Sequence, residues 1–392
     1  MSAPTLQNIL TDNWAKTYPT LGGVDHHTGR VVNALIMCRT PMLGAHRYRC
    51  SEPDCTYTRL AHNSCRNRHC PLCQARARAQ WLTARLQQLL PTRYFHIVFT
   101  LPAQSRALVA ANKRTIFALL FKAASETIMT LARDPRRLGG EAGLILMLHT
   151  WSQRLTFHPH LHGLIPGGVL AADKSRWIAT PGKFFLPVAV VARMFRGKLL
   201  AYIKQAHARG DIDYPPERFT ALLNTLYSIK WHVHLESPFK KPIRVVKYLA
   251  AYTNRVAISD KRLLESTDPT QVRFSYCDRI HGGVATRVER LSAREFIARF
   301  TQHILPRGFV KIRYYGLLSN RRQQETLQIC RTLLAKIAPD DAAQLLDAIA
   351  RELLNSVATD KSPRCPHCGC GRLRITERIP ATILALGSEG ND

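Results

Sequence analysis

Apolar positions along the chain follow two periods. Short apolar runs predict β-strands over 94–101, 144–149 and 158–166, and the first and last of these runs end at Pro. Longer segments with apolar residues three and four apart predict helices over 104–134 and 188–207. Strands that alternate with helices and pair antiparallel predict an α+β fold, in which helices pack on one sheet.

The C-terminal half continues the same mixture of elements. Residues 272–276 read as a strand, and Ser292 followed by Glu295 three residues later is the signature of a helix N-terminus. Residues 323–355 have the apolar spacing of an amphipathic helical pair. The end of the chain is therefore predicted to be a helical region.

Histidines occupy alternate positions of the strand predicted over 158–166. Because side chains two residues apart lie on one face of a strand, His158, His160 and His162 point the same way. Neutral imidazoles so placed can share a metal ion, whereas a polar strand face with no metal is the alternative interpretation. His149, at the end of the preceding strand, is the preferred third ligand, ahead of Gln153 and His158.

Acidic residues are scarce around these histidines. Between Glu141 and Asp211 the only one is Asp173. A nuclease that holds two metal ions through carboxylates needs several acids near its site. That class is excluded for this stretch, and a metal bound there must rely on histidine.

Two tyrosines lie downstream in a segment with helical spacing. Tyr248 and Tyr252 are four residues apart, so on a helix both phenols reach the same side. Metal-binding histidines and a tyrosine pair can together polarise and attack a phosphate. The alternative is that both tyrosines are core residues of an amphipathic helix.

Net charge identifies the class of partner. The chain has 56 Lys and Arg residues against 27 Asp and Glu residues, a net charge of +29, which indicates a nucleic-acid partner. It has neither an apolar run of about 18 residues nor a signal-peptide pattern, so no membrane is expected. The expected location is the bacterial cytoplasm, in association with the nucleoid, where cysteines stay reduced or bind metal.

Cysteines are concentrated near the N-terminus. The preferred ligands of one structural Zn²⁺ ion are Cys50, Cys55, Cys70 and Cys73, with Cys65 and His69 as alternates or as part of a second site. Near the other end, Cys365, Cys368 and Cys370 resemble half of a second zinc site, and no other half is evident nearby in the sequence.

Several basic and aromatic side chains are candidates for DNA contact. Arginines around the cysteines suit phosphates, and the alternation of basic and aromatic groups at 313–315 suits stacking on unpaired bases, with buried packing as the alternative. The candidates are Arg66, Arg68, Lys247, Arg255, Arg313, Tyr314, Tyr315 and Arg321.

These motifs together resemble one known family. Segments 148–151, 158–168 and 247–260 look like those of the rolling-circle insertion-sequence transposases, members of the HUH superfamily of tyrosine-dependent single-strand endonucleases. The resemblance covers most of 28–325. It implies an HUH-type antiparallel sheet flanked by helices, with a small N-terminal zinc-binding module.

The resemblance also implies a mechanism. Tyr248 or Tyr252 would attack single-stranded DNA at the ends of a mobile element and form a covalent 5′-phosphotyrosine, while His160, His162 and His149 would hold Mg²⁺ or Mn²⁺. A non-catalytic zinc-ribbon nucleic-acid-binding protein is the alternative function, and a homodimer stays open.

Three consecutive domains are expected. They are a helical and zinc-binding DNA-binding module over 1–90, the endonuclease domain over 91–322, and a helical region with a Cys-rich knuckle over 323–392.

Overall fold

The structure, a computed structural model, divides the chain into two compact units. The cysteine unit comprises 1–79, 254–304 and 352–392, and the histidine unit comprises 80–253 and 305–351. This division differs from the three consecutive domains expected, because the C-terminal strand pairs with a sheet of N-terminal residues. The described residues are 4–22, 24–74, 88–181, 185–236, 256–278, 284–320, 323–340, 343–345, 347, 350 and 363–382.

The described helices and strands are as follows, in chain order. The α-helices are α1 (Leu6–Thr17), α2 (His26–Ile36), α3 (Arg106–Ala111), α4 (Lys113–Arg133), α5 (Val188–Ala208), α6 (Pro216–Ser228), α7 (Ala293–Gln302) and α8 (Gln323–Ile337). The strands are β1 (Ala45–Cys50), β2 (Thr58–His62), β3 (Tyr94–Thr100), β4 (Gly140–Trp151), β5 (Phe157–Pro166), β6 (Gly168–Ala171), β7 (Trp177–Ala179), β8 (Val233–Leu235), β9 (Leu263–Leu264), β10 (Gln271–Asp278), β11 (Ala285–Ser292), β12 (Ile312–Gly316) and β13 (Leu373–Ile379).

A seven-stranded antiparallel sheet forms the histidine unit. Its strand order is β7-β6-β4-β5-β3-β8, and β12 pairs with β4. β4 pairs with β6 near its start and with β5 further along, so the sheet curls around this long strand. The predicted α+β fold with an antiparallel sheet flanked by helices is confirmed.

Alternate residues of β4 belong to two apolar clusters on opposite faces of this sheet. Leu144 and Leu146 pack with α4 and α5, whereas Ile145 and Met147 pack with α8. His149 continues the second series, and so lies on the face that bears Ile145 and Met147. The pleat of one strand thereby decides which face carries the histidines.

Helix α4 is the apolar centre of the first cluster. Among the described residues it is the one helix long and apolar enough to cross a membrane, yet 67% of its apolar window is buried inside the protein. Its buried positions include Phe117, Leu120 and Phe121, spaced to line the side that faces the sheet. A core helix of a folded unit has these properties.

The cysteine unit contains two three-stranded sheets. Their strand orders are β13-β1-β2 and β11-β10-β9, and α1 packs against α2 and α7. The Ser292 side chain accepts a hydrogen bond from the Glu295 N–H at the start of α7, which confirms the predicted helix start. The C-terminal region is helical in α8 but ends in β13, a strand that the sequence did not indicate.

Candidate active site and metal centres

Pairing of β4 with β5 gathers three histidines. His149 lies directly opposite His160, and His162 follows two residues later on the same face. Their candidate ligand nitrogens all lie within 4.8 Å of one another. His149 and His162 are buried, and His160 is half-buried. Neighbouring strands therefore supply three imidazoles at one point.

Hydrogen bonds orient two of these rings. The His158 carbonyl lies 2.7 Å from His160 Nδ1, so that nitrogen carries the proton and donates it. His160 Nε2 is left as an acceptor and lies 3.1 Å from His162 Nε2. Two nitrogen lone pairs can thus be directed at one point between the rings.

His96 of β3 contacts the other side of the His162 ring. Its Nε2 lies 3.0 Å from His162 Nδ1, and its Nδ1 lies 3.1 Å from Glu236 Oε2. His96 was not among the candidate ligands identified from the sequence. The signal that could have identified it is its diagonal position relative to His162 across the β3–β5 pair, because Val98 is the direct partner of His162.

The remaining candidates for the third ligand differ in position. His149 belongs to the group and stacks on Trp151, with 4.7 Å between the ring centroids. His158 lies beside His160 at a centroid distance of 5.2 Å, and burial, aided by the charge of Arg106, lowers its pKa. The geometry favours His149 as third ligand.

The separation of the ring nitrogens fits a divalent ion. Adjacent ligands on an octahedral ion with bonds of about 2.1 Å lie about 3.0 Å apart, and His160 Nε2 and His162 Nε2 are 3.1 Å apart. An all-nitrogen donor set favours Mn²⁺ over Mg²⁺ in intrinsic affinity.

The predicted tyrosines, Tyr248 and Tyr252, lie outside the described residues.

Cysteines form two groups of four in the cysteine unit. The first group is Cys38, Cys65, Cys70 and Cys73, and the second group is Cys50, Cys55, Cys365 and Cys368. Sγ–Sγ distances in the first group are 3.6 Å for Cys38–Cys73 and 3.7 Å for Cys65–Cys73. A tetrahedral Zn²⁺ ion with Zn–S bonds of about 2.3 Å places its ligands about 3.8 Å apart, so the first group fits zinc.

The predicted zinc ligand set is divided between the two groups. Cys50 and Cys55 lie in a different group from Cys70 and Cys73, because Cys50 ends β1, which pairs with β13 just after the C-terminal knuckle. The alternate Cys65 is a member of the first group and His69 is not. Cys38, which the sequence analysis omitted, completes the first group.

The candidate DNA-contact residues differ in their exposure and in how they pack against the rest of the protein. Arg66 is exposed and Arg68 is half-buried, with its pKa lowered by burial. Arg313 stacks over the Phe121 ring at 4.4 Å, and Tyr315 is half-buried against the same cluster. Arg313 and Tyr315 thus use much of their side-chain surface for packing within the protein. Tyr314 packs at the edge of the cluster on the other face, and Lys247, Arg255 and Arg321 lie outside the described residues.

Comparison with known proteins gives two family matches. Residues 9–101 match the family model described as "Transposase zinc-binding domain", and residues 143–325 match the one described as "Putative transposase". Structural zinc follows from the first match and from the four-cysteine geometry. The first group of cysteines and the histidine group fall within the matched ranges.

Two curated relatives align along most of the chain. "Putative transposase y4qJ" of Sinorhizobium fredii is 42% identical over 356 residues, covering 89% of this chain and 88% of the relative. "Transposase for insertion sequence element IS801" of Pseudomonas savastanoi pv. phaseolicola is 29% identical over 401 residues, covering 97% and 92%. No solved structure matches the chain significantly.

Proposed function

Since the chain belongs to the IS91 family of rolling-circle transposases, with an N-terminal zinc-binding domain, we propose that it cleaves and rejoins single-stranded DNA at the ends of a mobile element. Transposases are enzymes that act on DNA. One observation carries the finer proposal: three histidines from two paired strands converge within 4.8 Å on one sheet face.

His149, His160 and His162 are the proposed ligands of a divalent ion. When bound, such an ion polarises a phosphate and offsets the negative charge that develops on its oxygens. The His158 carbonyl keeps the His160 ring with Nε2 towards the site. His96 holds the His162 ring from behind, which supports the same orientation of both nitrogens.

Tyr248 and Tyr252 are the proposed nucleophiles. The phenolic oxygen of one attacks the phosphorus and loses its proton, while the bond from phosphorus to the 3′ oxygen breaks. The 5′ end of the DNA stays on the enzyme as a phosphotyrosine, and the departing oxygen gains a proton to become a free 3′-hydroxyl. The second tyrosine would allow cleavage or strand transfer at another end before the first phosphotyrosine is resolved.

Basic groups of the chain would hold the DNA strand. The net charge of +29 gives a long-range attraction for phosphate, and exposed arginines such as Arg66 suit direct contact. We propose that the protein acts in the bacterial cytoplasm, where its reduced cysteines keep zinc and its DNA target is present.

Covalent trapping tests this function. Full-length protein incubated with Mn²⁺ and a labelled single-stranded oligonucleotide should form an adduct that survives on a denaturing gel. Tyr248→Phe and Tyr252→Phe should have unequal effects, because only one phenol can be in line with a given phosphate. We assign the first adduct to Tyr248 and the later strand transfer mainly to Tyr252. Intact adduct formation in both variants, with only a lower melting temperature, would identify the tyrosines as core residues instead.

A further inference from the structure

The second group of cysteines joins the two ends of the chain. Cys50 and Cys55 lie within the matched zinc-binding range 9–101, whereas Cys365 and Cys368 lie beyond both matched ranges. We propose that this group binds a second structural zinc ion, which fastens the C-terminal segment 363–379 to the N-terminal sheet of the cysteine unit.

Sulfur positions in the second group fit one tetrahedral ion. Cys50 Sγ lies 3.6 Å from Cys368 Sγ, and Cys55 Sγ lies 3.8 Å from Cys365 Sγ. Ligands on a zinc ion with bonds of about 2.3 Å are about 3.8 Å apart, whereas disulfide sulfurs are only about 2.05 Å apart. Zinc coordination therefore matches these distances and disulfide bonding does not.

Backbone N–H groups point at two of these sulfurs. The Gly371 N–H donates to Cys368 Sγ at 3.4 Å, and the Glu52 N–H donates to Cys50 Sγ at 3.5 Å. Donors of this kind stabilise negative charge on sulfur, which is the state a zinc ligand needs. Each donor belongs to the turn that follows its cysteine, so both turns are shaped around a thiolate.

The chain approaches itself too closely at two glycines for any other residue. A Cβ added to Gly371 would lie 2.4 Å from Cys50 Sγ, and a Cβ on Gly44 would lie 2.6 Å from the Ile379 carbonyl oxygen. Gly44 also has a φ of +74°, which favours glycine. Gly44 adjoins one end of the β1–β13 pairing and Gly371 lies two residues from the other, so the two segments are in close contact near both ends of the pairing.

Strand β13 gives the N-terminal sheet its third strand. Without it, β1 and β2 would form a two-stranded hairpin, which is marginally stable alone. The apolar cluster behind the second group is small, with Leu373, Tyr48 and Tyr57 around the cysteines. A cluster of that size contributes little folding free energy. A bound ion is therefore the main source of stability for the contact between segment 363–379 and the N-terminal sheet.

Zinc counting tests the proposal on the full-length chain. The His160→Ala/His162→Ala background prevents the histidine group from adding an ion to the count. That parent should contain two zinc ions per chain by elemental analysis, and adding Cys365→Ser/Cys368→Ser should leave one. Cys370→Ser is the matched control, since Cys370 is exposed in the same knuckle and outside the group, and it should keep two. One ion in the parent, or two in the double cysteine variant, would overturn the proposal.

A second variant keeps all four thiols, so its result does not depend on removing a ligand that the fold needs. Gly371→Ala should crowd Cys50 Sγ and release one of the two zinc ions to a chelator about tenfold faster, in line with the effect of disturbing groups around metal ligands. The other ion should leave at the unchanged rate. Two unchanged rates, or two equally accelerated rates, would mean that Gly371 does not act on a separate second site.

Discussion

The histidine group and the two cysteine groups are assembled in different ways. The three histidines come from β4 and its neighbour β5, which follow each other in the chain. In the second group of cysteines, Cys50 and Cys368 are 318 residues apart. Strand periodicity and the pairing of two consecutive strands bring the histidines together, whereas the cysteines of the second group meet only after the ends of the chain have paired. The first kind of site can be predicted from local sequence, and the second kind depends on the tertiary fold.

Removal of two histidines should have the largest effect on catalysis. His160→Ala/His162→Ala should lower the rate of single-strand nicking by about a thousandfold or more, because polarisation of a phosphate by a metal contributes several kcal/mol. DNA binding should persist, since the net charge changes little. The measurement is Mn²⁺-dependent nicking of a labelled oligonucleotide.

The chain provides a matched control for that variant. His232 and His234 have the same spacing, are both exposed at the edge strand β8, and belong to no metal group of the described residues. His232→Ala/His234→Ala should therefore nick at the normal rate. Equal loss in both double variants would show that the His160/His162 position carries no special role.

Cys38 gives the sharpest test of how the cysteines are grouped. Cys38→Ser should lose one zinc ion and destabilise the cysteine unit by more than about 4 kcal/mol, as expected for loss of a structural metal. Thermal unfolding and elemental analysis measure both effects. Cys277→Ser, at an exposed position outside the groups, should change neither. An unchanged zinc content in Cys38→Ser would exclude Cys38 as a ligand of the first group.

Particular residues show where sequence reasoning succeeds and where it stops. His160 and His162 were found because a period of two fixes their common face, and His149 because it lies at the end of the preceding strand. Cys38 was omitted because it follows α2, 27 residues before Cys65, and nothing local marks it as a ligand. β13 was also missed, because most of its residues are exposed and it joins a sheet by pairing with the distant strand β1. Long-range pairing is the information that the local pattern lacks.

A smaller effect is expected at His96, which contacts a proposed ligand rather than the ion. His96→Phe should weaken Mn²⁺ binding about 10- to 100-fold, because the His162 ring loses the partner that orients it. His96→Gln should recover most of the affinity, since an amide can still hydrogen-bond to His162 Nδ1. Calorimetry with Mn²⁺ on the full chain measures both variants. Equal affinities for His96→Phe, His96→Gln and the unaltered protein would contradict an orienting role.

The smallest expected effect concerns the sheet of the cysteine unit. Arg49 and Arg374 lie directly opposite each other on β1 and β13 and are both exposed. Like charges so placed repel, and a DNA phosphate between them would relieve the repulsion. Each phosphate contact adds about −0.7 to the logarithmic salt dependence of single-strand binding.

Arg49→Gln/Arg374→Gln should therefore make the salt slope shallower by about 0.7. Arg209→Gln is the control, because Arg209 is exposed and paired with Asp211, and it should leave the slope unchanged. An unchanged slope in the double variant would remove this sheet from the DNA-contact surface.

The most direct test of the transposase mechanism is the location of the covalent bond to DNA. The trapped adduct of the full-length protein would be digested with protease and nuclease, and the modified peptide would be identified by mass spectrometry. The mechanism predicts a phosphotyrosine at Tyr248 or Tyr252, within residues 247–255. A DNA-linked tyrosine anywhere else in the chain would contradict it.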